Sequence, residues 1–243
     1  MKIIQHFLEN SLRNFNYIVY SEQTKEAVFF DPFDLERTLP LAQKVDAKPK
    51  YLLKTHDHPD HIKDVESFLQ IPGTKQLHLK HNEVFDLSEN EKIVCLDTPG
   101  HVMNHQCFLL LESQVITGVI CGDTVFNAGV GNCKNGGNPE ILFETIKDIF
   151  NELSDDVKIY PSHDYFLTNL KFAKTVDPMN SFIDEYIHSC EDTQRLGEFM
   201  ITTIGEEKKY NPFFRAMTKK FQSLNNKSAK ELFIELRAKR DVW

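Results

Sequence analysis

Seven consecutive residues, Thr55-His56-Asp57-His58-Pro59-Asp60-His61, hold three imidazoles and two carboxylates. Neutral imidazole nitrogen and carboxylate oxygen are the ligands that borderline divalent metals prefer. The run follows an apolar stretch, Tyr51-Leu52-Leu53-Lys54, so it is expected in a loop at a strand end. From there His56 and His58 can converge on one ion while Asp60 and His61 turn towards another. A solvated polar loop would account for the composition but not for the density.

Three later segments repeat the pattern of an apolar run, a Gly or Pro, and then a His or Asp. Thr98-Pro99-Gly100-His101 follows Ile93–Leu96, Gly122-Asp123 follows Val119-Ile120-Cys121, and Pro161-Ser162-His163 follows Ile159-Tyr160. Each side chain is thereby expected at the carboxyl end of a strand. A lone His after a strand is more often a hydrogen-bonded core residue than a ligand. Together with the cluster, however, these positions complete two coordination shells and use half of the ten histidines.

The 243 residues suffice for one large domain and a small appendage. A net charge of −8 argues against nonspecific binding to nucleic acid or anionic membranes. No apolar run approaches the roughly 18 residues a membrane span needs, and the N-terminus lacks the apolar core of a signal peptide. The five cysteines form no CxxC pair, so neither a disulfide framework nor a Cys-type zinc site is expected. A reducing, cytoplasmic location follows as the default. Cys95, Cys107 and Cys121 lie in apolar runs and read as small buried hydrophobes.

Strands are expected at Lys2–Phe7, Tyr17–Tyr20, Ala27–Asp31, Gln76–Leu79, Lys92–Asp97, Gln106–Glu112, Val115–Cys121 and Val157–Tyr160, with helices at Leu35–Val45, Ile62–Leu69 and Asn138–Leu153. This order suggests sheets covered by helices, a layered α/β architecture. Beyond Leu170 only helices are expected: Asn169–Thr175, Ser181–Cys190, Thr203–Lys209, Phe213–Leu224 and Ser228–Lys239. Two carry capping boxes, Thr203 with Glu206 and Ser228 with Glu231.

The series His-x-His-x-Asp-His, Gly-His, Gly-Asp and a later His resembles the metallo-β-lactamase superfamily, and within it the glyoxalase II (hydroxyacylglutathione hydrolase) family. Matching stretches include Asn16-Tyr17, Thr98–His101 with His105, Gly122-Asp123-Thr124-Val125-Phe126, Pro161-Ser162-His163-Asp164-Tyr165 and Asn169-Leu170-Lys171-Phe172-Ala173. The tail adds Gly205-Glu206-Glu207, Asn211-Pro212-Phe213-Phe214-Arg215 and Leu236-Arg237. The resemblance implies an αββα sandwich over residues 1–173 and a helical substrate-binding domain over 174–243. It also implies two divalent metals, zinc as first choice with iron or manganese as substitutes. His56, His58 and His101 would hold one, Asp60, His61 and His163 the other, with Asp123 bridging. Such a pair, about 3.5–4 Å apart, lowers the pKa of a shared water and polarises a carbonyl, which thioester hydrolysis requires.

By the same resemblance Asp60 and Asp123 are the catalytic carboxylates, and His105 lies behind the ligands. Tyr165, Arg215 and Lys219 or Lys220 would grip a glutathione-like thiol. The substrate is then a small-molecule thioester such as S-D-lactoylglutathione, turned over by a monomer with no nucleic-acid or membrane partner. Two stretches depart from the family pattern. Asn132-Cys133-Lys134 stands where the family has Lys, an aromatic and Tyr, leaving Lys134 to supply the charge. Lys63-Asp64 stands where glycines are common, and Asp57 replaces a frequent His. Competing readings are a mononuclear-iron persulfide dioxygenase, which generally lacks this helical tail, and a noncatalytic scaffold, which would be expected to have lost ligands. Lactonase and nuclease relatives are weaker alternatives, the acidic charge and the absence of a nucleic-acid-binding extension weighing against a nuclease.

Overall fold

The computed structural model describes residues 1–243, and contacts divide it into two compact units. The first comprises Met1–Asp97 and Gln106–Gly122; the second comprises Thr98–His105 and Asp123–Trp243. The sequence reading divides the chain after Ala173 instead.

In the first unit β1 (Lys2–Phe7), β2 (Phe15–Tyr20) and β3 (Glu26–Phe30) pair antiparallel. Helix α1 (Leu35–Lys44), capped by the Asp34 side chain, then carries the chain over to β4 (Lys48–Leu53), parallel to β3. Ala27 and Phe29 point to the helical face, where they meet Leu35, Ala42 and Phe68. The alternate residue Phe30 points the other way and meets Phe108 at 5.4 Å. A strand buried on both faces reads as an unbroken apolar run, which is why Ala27–Phe30 has no polar alternation.

The helix expected at Ile62–Leu69 is two pieces, α2 (Pro59–Ile62) and α3 (Val65–Leu69). Tertiary hydrogen bonds explain the break. The Asp64 side chain accepts the Leu35 N–H at 2.7 Å, and its own N–H donates to Pro32 O at 2.9 Å. Pro59 at the first helical position accounts for the earlier start. The strand expected at Gln76–Leu79 shrinks to β5 (Lys75–Gln76), parallel to β4. An antiparallel meander follows: β6 (Val84–Asp86), β7 (Glu91–Asp97), β8 (Gln106–Glu112) and β9 (Val115–Gly122). Cys95, Cys107 and Cys121 are buried in it, and all five cysteines are free.

The second unit opens with a short hairpin that sequence reading does not foresee, β10 (Val125–Phe126) and β11 (Gly129–Val130). Helix α4 (Pro139–Asp148) is capped by Asn138, and β12 (Lys158–Pro161) precedes α5 (Phe166–Val176) and α6 (Ser181–Arg195). Both capping boxes are present, opening α7 (Ile204–Tyr210) and α10 (Ala229–Val242). The helix expected over Phe213–Leu224 is broken into α8 (Pro212–Arg215) and α9 (Lys219–Asn225), because Thr218 leaves the helix to cap Phe221 N–H. Phe233 of α10 packs edge-on against Phe143 and Phe213 at 5.6 and 5.1 Å. No helix is long and apolar enough to cross a membrane.

Candidate metal centre and adjoining cleft

His56, His101, Asp123 and His163 each follow a strand end: β4, β7, β9 and β12 respectively. The strands hold the backbone and the loops aim the side chains, so each position is fixed from behind.

In the first unit the hydrogen bonds decide which ring nitrogen carries the proton. Thr55 Oγ1 donates to Asp31 Oδ2 at 2.6 Å, so it accepts from His56 Nδ1 at 2.9 Å. His61 Nδ1 donates to the same Asp31 oxygen at 2.8 Å. Both rings therefore carry the proton on Nδ1 and present an Nε2 lone pair. His56 Nε2 lies 3.0 Å from His58 Nδ1, and Asn14 Nδ2 donates to Asp60 Oδ2 at 3.0 Å. Asp57, exposed, pairs with Lys54.

The second unit repeats the device. His101 Nδ1 donates to the Asn132 carbonyl at 2.6 Å, again presenting Nε2. Asp123 spreads its oxygens between two rings: Oδ2 is 3.5 Å from His101 Nε2, and Oδ1 is 3.3 Å from His163 Nε2. His105 is fully buried and accepts the Asp123 N–H on Nε2 at 3.1 Å. Its Nδ1 meets Thr98 and Thr124 hydroxyls at 2.9 and 3.0 Å, so it supports Asp123 from behind. The His163 ring stacks on Tyr165, interplanar angle 2° and centroids 5.0 Å apart.

In the first unit His56, His58, Asp60 and His61 offer ligand-type atoms, and in the second His101, Asp123 and His163 do. The donor set fits two divalent cations. It is nitrogen and oxygen only, and a ring N–H tied to a carboxylate, hydroxyl or carbonyl is the usual arrangement behind a metal-binding histidine. Asp31 is the residue of this arrangement that sequence reading overlooks. Its one signal is its position just after the apolar β3.

A cleft of about 220 Å³ is lined by Phe126, Tyr165, Asn132, Lys134, Arg237 and Arg240, among others. Lys134 Nζ donates to the Asp241 carbonyl at 2.9 Å, and Arg240 Nη2 donates to Asn169 Oδ1 at 3.2 Å. Tyr165 and Lys134 are thus brought to one cleft. Arg215 and Lys219 do not line it: Arg215 Nε pairs with Asp177 at 2.6 Å beside the Phe221 ring, and Lys219 is exposed at the start of α9. Arg237 and Arg240 supply cations that sequence reading does not assign to substrate. Burial pushes the Cys133 thiol up to about 11, which leaves it unreactive near neutrality.

The C-terminal residues 164–243 match the family model described as hydroxyacylglutathione hydrolase C-terminus. A hydroxyacylglutathione hydrolase of Polaromonas sp. (strain JS666) is 32% identical, over 96% of this chain and 97% of the relative. The chain belongs to the hydroxyacylglutathione hydrolase family. That family is one of enzymes, as expected from the sequence. Among solved structures, ETHE1 from Myxococcus xanthus superposes with a TM-score of 0.72 at 21% identity, covering 98% of this chain and 90% of that one. A metallo-β-lactamase from Staphylococcus aureus subsp. aureus COL gives 0.66 at 22% identity, covering 98% and 70%. These likenesses show the metallo-β-lactamase fold.

Proposed function

We propose that the chain is a metal-dependent thioester hydrolase that cleaves a hydroxyacyl thioester of glutathione, or of a closely related thiol, to a hydroxy acid and free thiol. In this reading His56, His58 and His101 hold one divalent cation, and Asp60, His61 and His163 hold another. Asp123 serves both, and zinc is the first choice of metal, with iron or manganese as substitutes. Asp123 carries the assignment, because its two oxygens face His101 and His163 separately. Bound there, the cations supply Lewis acidity and an activated water at neutral pH.

The chain's own residues do the rest. Asp31, Thr55 and the Asn132 carbonyl hold the ring protons on Nδ1, so the Nε2 lone pairs stay directed inwards. Asp60, oriented by Asn14, is assigned the placement of the attacking water. The leaving group needs little acid help, since thiols have pKa values of about 8–9. Lys134, Arg237 and Arg240, partly offset by Asp241, give the cleft a net positive charge that carboxylates of a glutathione-like thiol would meet. Phe126 and Tyr165 form its aromatic wall, in edge contact at 5.3 Å. Residues 1–173 then carry the metal chemistry, and 174–243 contribute the two arginines. The protein would work as a monomer in the cytoplasm.

Steady-state hydrolysis of S-D-lactoylglutathione, with metal content measured on the same batch, tests this reading. Turnover with two metals per chain is the expected result. His58→Ala should lose metal and at least ~10³ of kcat, the scale on which removing one member of a catalytic unit acts. An unchanged rate in that variant would overturn the ligand assignment. Two metals without turnover on any of a panel of thioesters would overturn the hydrolase reading.

A further inference from the structure

One buried carboxylate takes no part in the chemistry above. Glu207, on α7, is fully buried and does not line the cleft. Its Oε2 accepts the Ala128 N–H and the Asn211 side-chain amide, each at 2.8 Å. Its Oε1 accepts the Thr202 and Tyr210 hydroxyls, each at 2.8 Å. All the hydrogen-bonding capacity of a carboxylate is thereby spent: one bond goes directly to the turn between β10 and β11, and two go to Thr202 and Asn211, which in turn bond to Asn127 and Gly129.

That turn is short of internal support. Ala128 has φ +56°, a region an alanine occupies only when its surroundings hold it there. Around it, the chain's polar groups are taken up in sequence by residues of the C-terminal helices. Asn169 Nδ2 donates to Asn127 O at 3.0 Å, and Asn211 Nδ2 donates to Gly129 O at 3.2 Å. Arg237 Nη1 donates to Val130 O at 2.7 Å. The next carbonyl but one, that of Asn132, is the acceptor for His101 Nδ1. On the other side the loop folds back on Asp123: Gly131 N–H reaches Thr124 O, and a Cβ on Gly131 would meet the Asp123 carbonyl. Ala128 lies between the two metal-site anchors, five residues after Asp123 and four before Asn132.

We propose that Glu207 is a positioning residue for the metal centre: by holding the Ala128 turn it fixes the 127–132 loop, and through it the ring orientation of His101 and the placement of Asp123. The inference rests on the reading that His101 and Asp123 hold metal. Glutamine at this position keeps an oxygen for Ala128 N–H and Asn211, and its amide can donate to the two hydroxyls. Alanine leaves all four partners without an acceptor.

The test compares wild type, Glu207→Gln and Glu207→Ala by zinc affinity in chelator competition, by thermal midpoint, and by kcat and KM. Glu207→Ala is expected to bind zinc ~10-fold or more weakly, the scale seen when a group behind a metal ligand is removed. Its kcat should fall while KM stays within about twofold, and Glu207→Gln should return affinity and kcat to near wild type. If Glu207→Ala does not fold, Glu207→Asp, one methylene shorter, carries the same readout. Wild-type affinity and kcat in the alanine variant, whatever its thermal midpoint, would overturn the inference. So would a glutamine variant as impaired as the alanine one. A wild-type chain that bound no zinc would instead overturn the metal reading, whereas one that bound zinc without hydrolysing thioesters would leave the affinity comparison intact.

Discussion

Asp31 shows how much of a metal centre lies behind its ligands. One oxygen takes both His61 Nδ1 and Thr55 Oγ1, and the other takes Thr55 N–H at 2.7 Å. Asparagine would put an amide donor where at least one of these donors now finds an acceptor. Asp31→Asn is therefore expected to weaken metal binding by roughly 10–100-fold. Chelator competition on the purified variant would read this, and an affinity within twofold of wild type would refute it. The proposed ligands could be picked out from residue type and spacing, but Asp31 could not. A carboxylate after an apolar strand is common, and only the fold shows that this one faces His61.

At the scale of elements, α7 is held by opposed effects. Its capping box satisfies the first turn at Thr203 and Glu206, a contribution of about 1 kcal/mol. Within the same helix, burial pushes the Glu207 carboxyl up to about 7, with its four hydrogen bonds pulling the other way. A carboxyl raised in the folded state binds its proton more tightly there than in the unfolded chain. The stability this gives is full below the ordinary pKa of 4.5 and is lost as pH rises through about 7. Across that window the wild type should lose stability relative to Glu207→Gln, on the order of 3 kcal/mol. Urea denaturation of both proteins at pH 5, 6, 7 and 8 measures it, and parallel curves would contradict a raised pKa. Elements whose signals are local, such as the two capped helices and β8, matched expectation. Those shaped by distant partners did not: α2 and α3 are parted by Asp64 bonding to Leu35. The β10–β11 hairpin is too short to show periodicity.

Over the whole molecule, the proposed ligands come from segments spread between His56 and His163, so a metal that binds them binds only the folded chain. Free metal at 1,000 times its dissociation constant would add about 4 kcal/mol per site. Chelator-treated protein should then melt lower by on the order of 10 °C, and zinc should restore it. Calorimetry with and without chelator checks this; an unchanged midpoint would argue against bound metal. By itself the sequence determined the strand-end placement of the proposed ligands, the layered α/β class and the helical tail. Those features depend on residue type and short spacing, which a chain carries wherever it folds. Only the tertiary structure decided which groups stand behind the ligands and which cations line the cleft. Arg215 and Lys219 had the right charge and the right neighbourhood in sequence. Asp177 takes Arg215, however, and α10 brings Arg240, together with an Arg237 paired to Asp241, to the cleft instead. A side chain's partner depends on where distant segments are packed, and local pattern does not encode that.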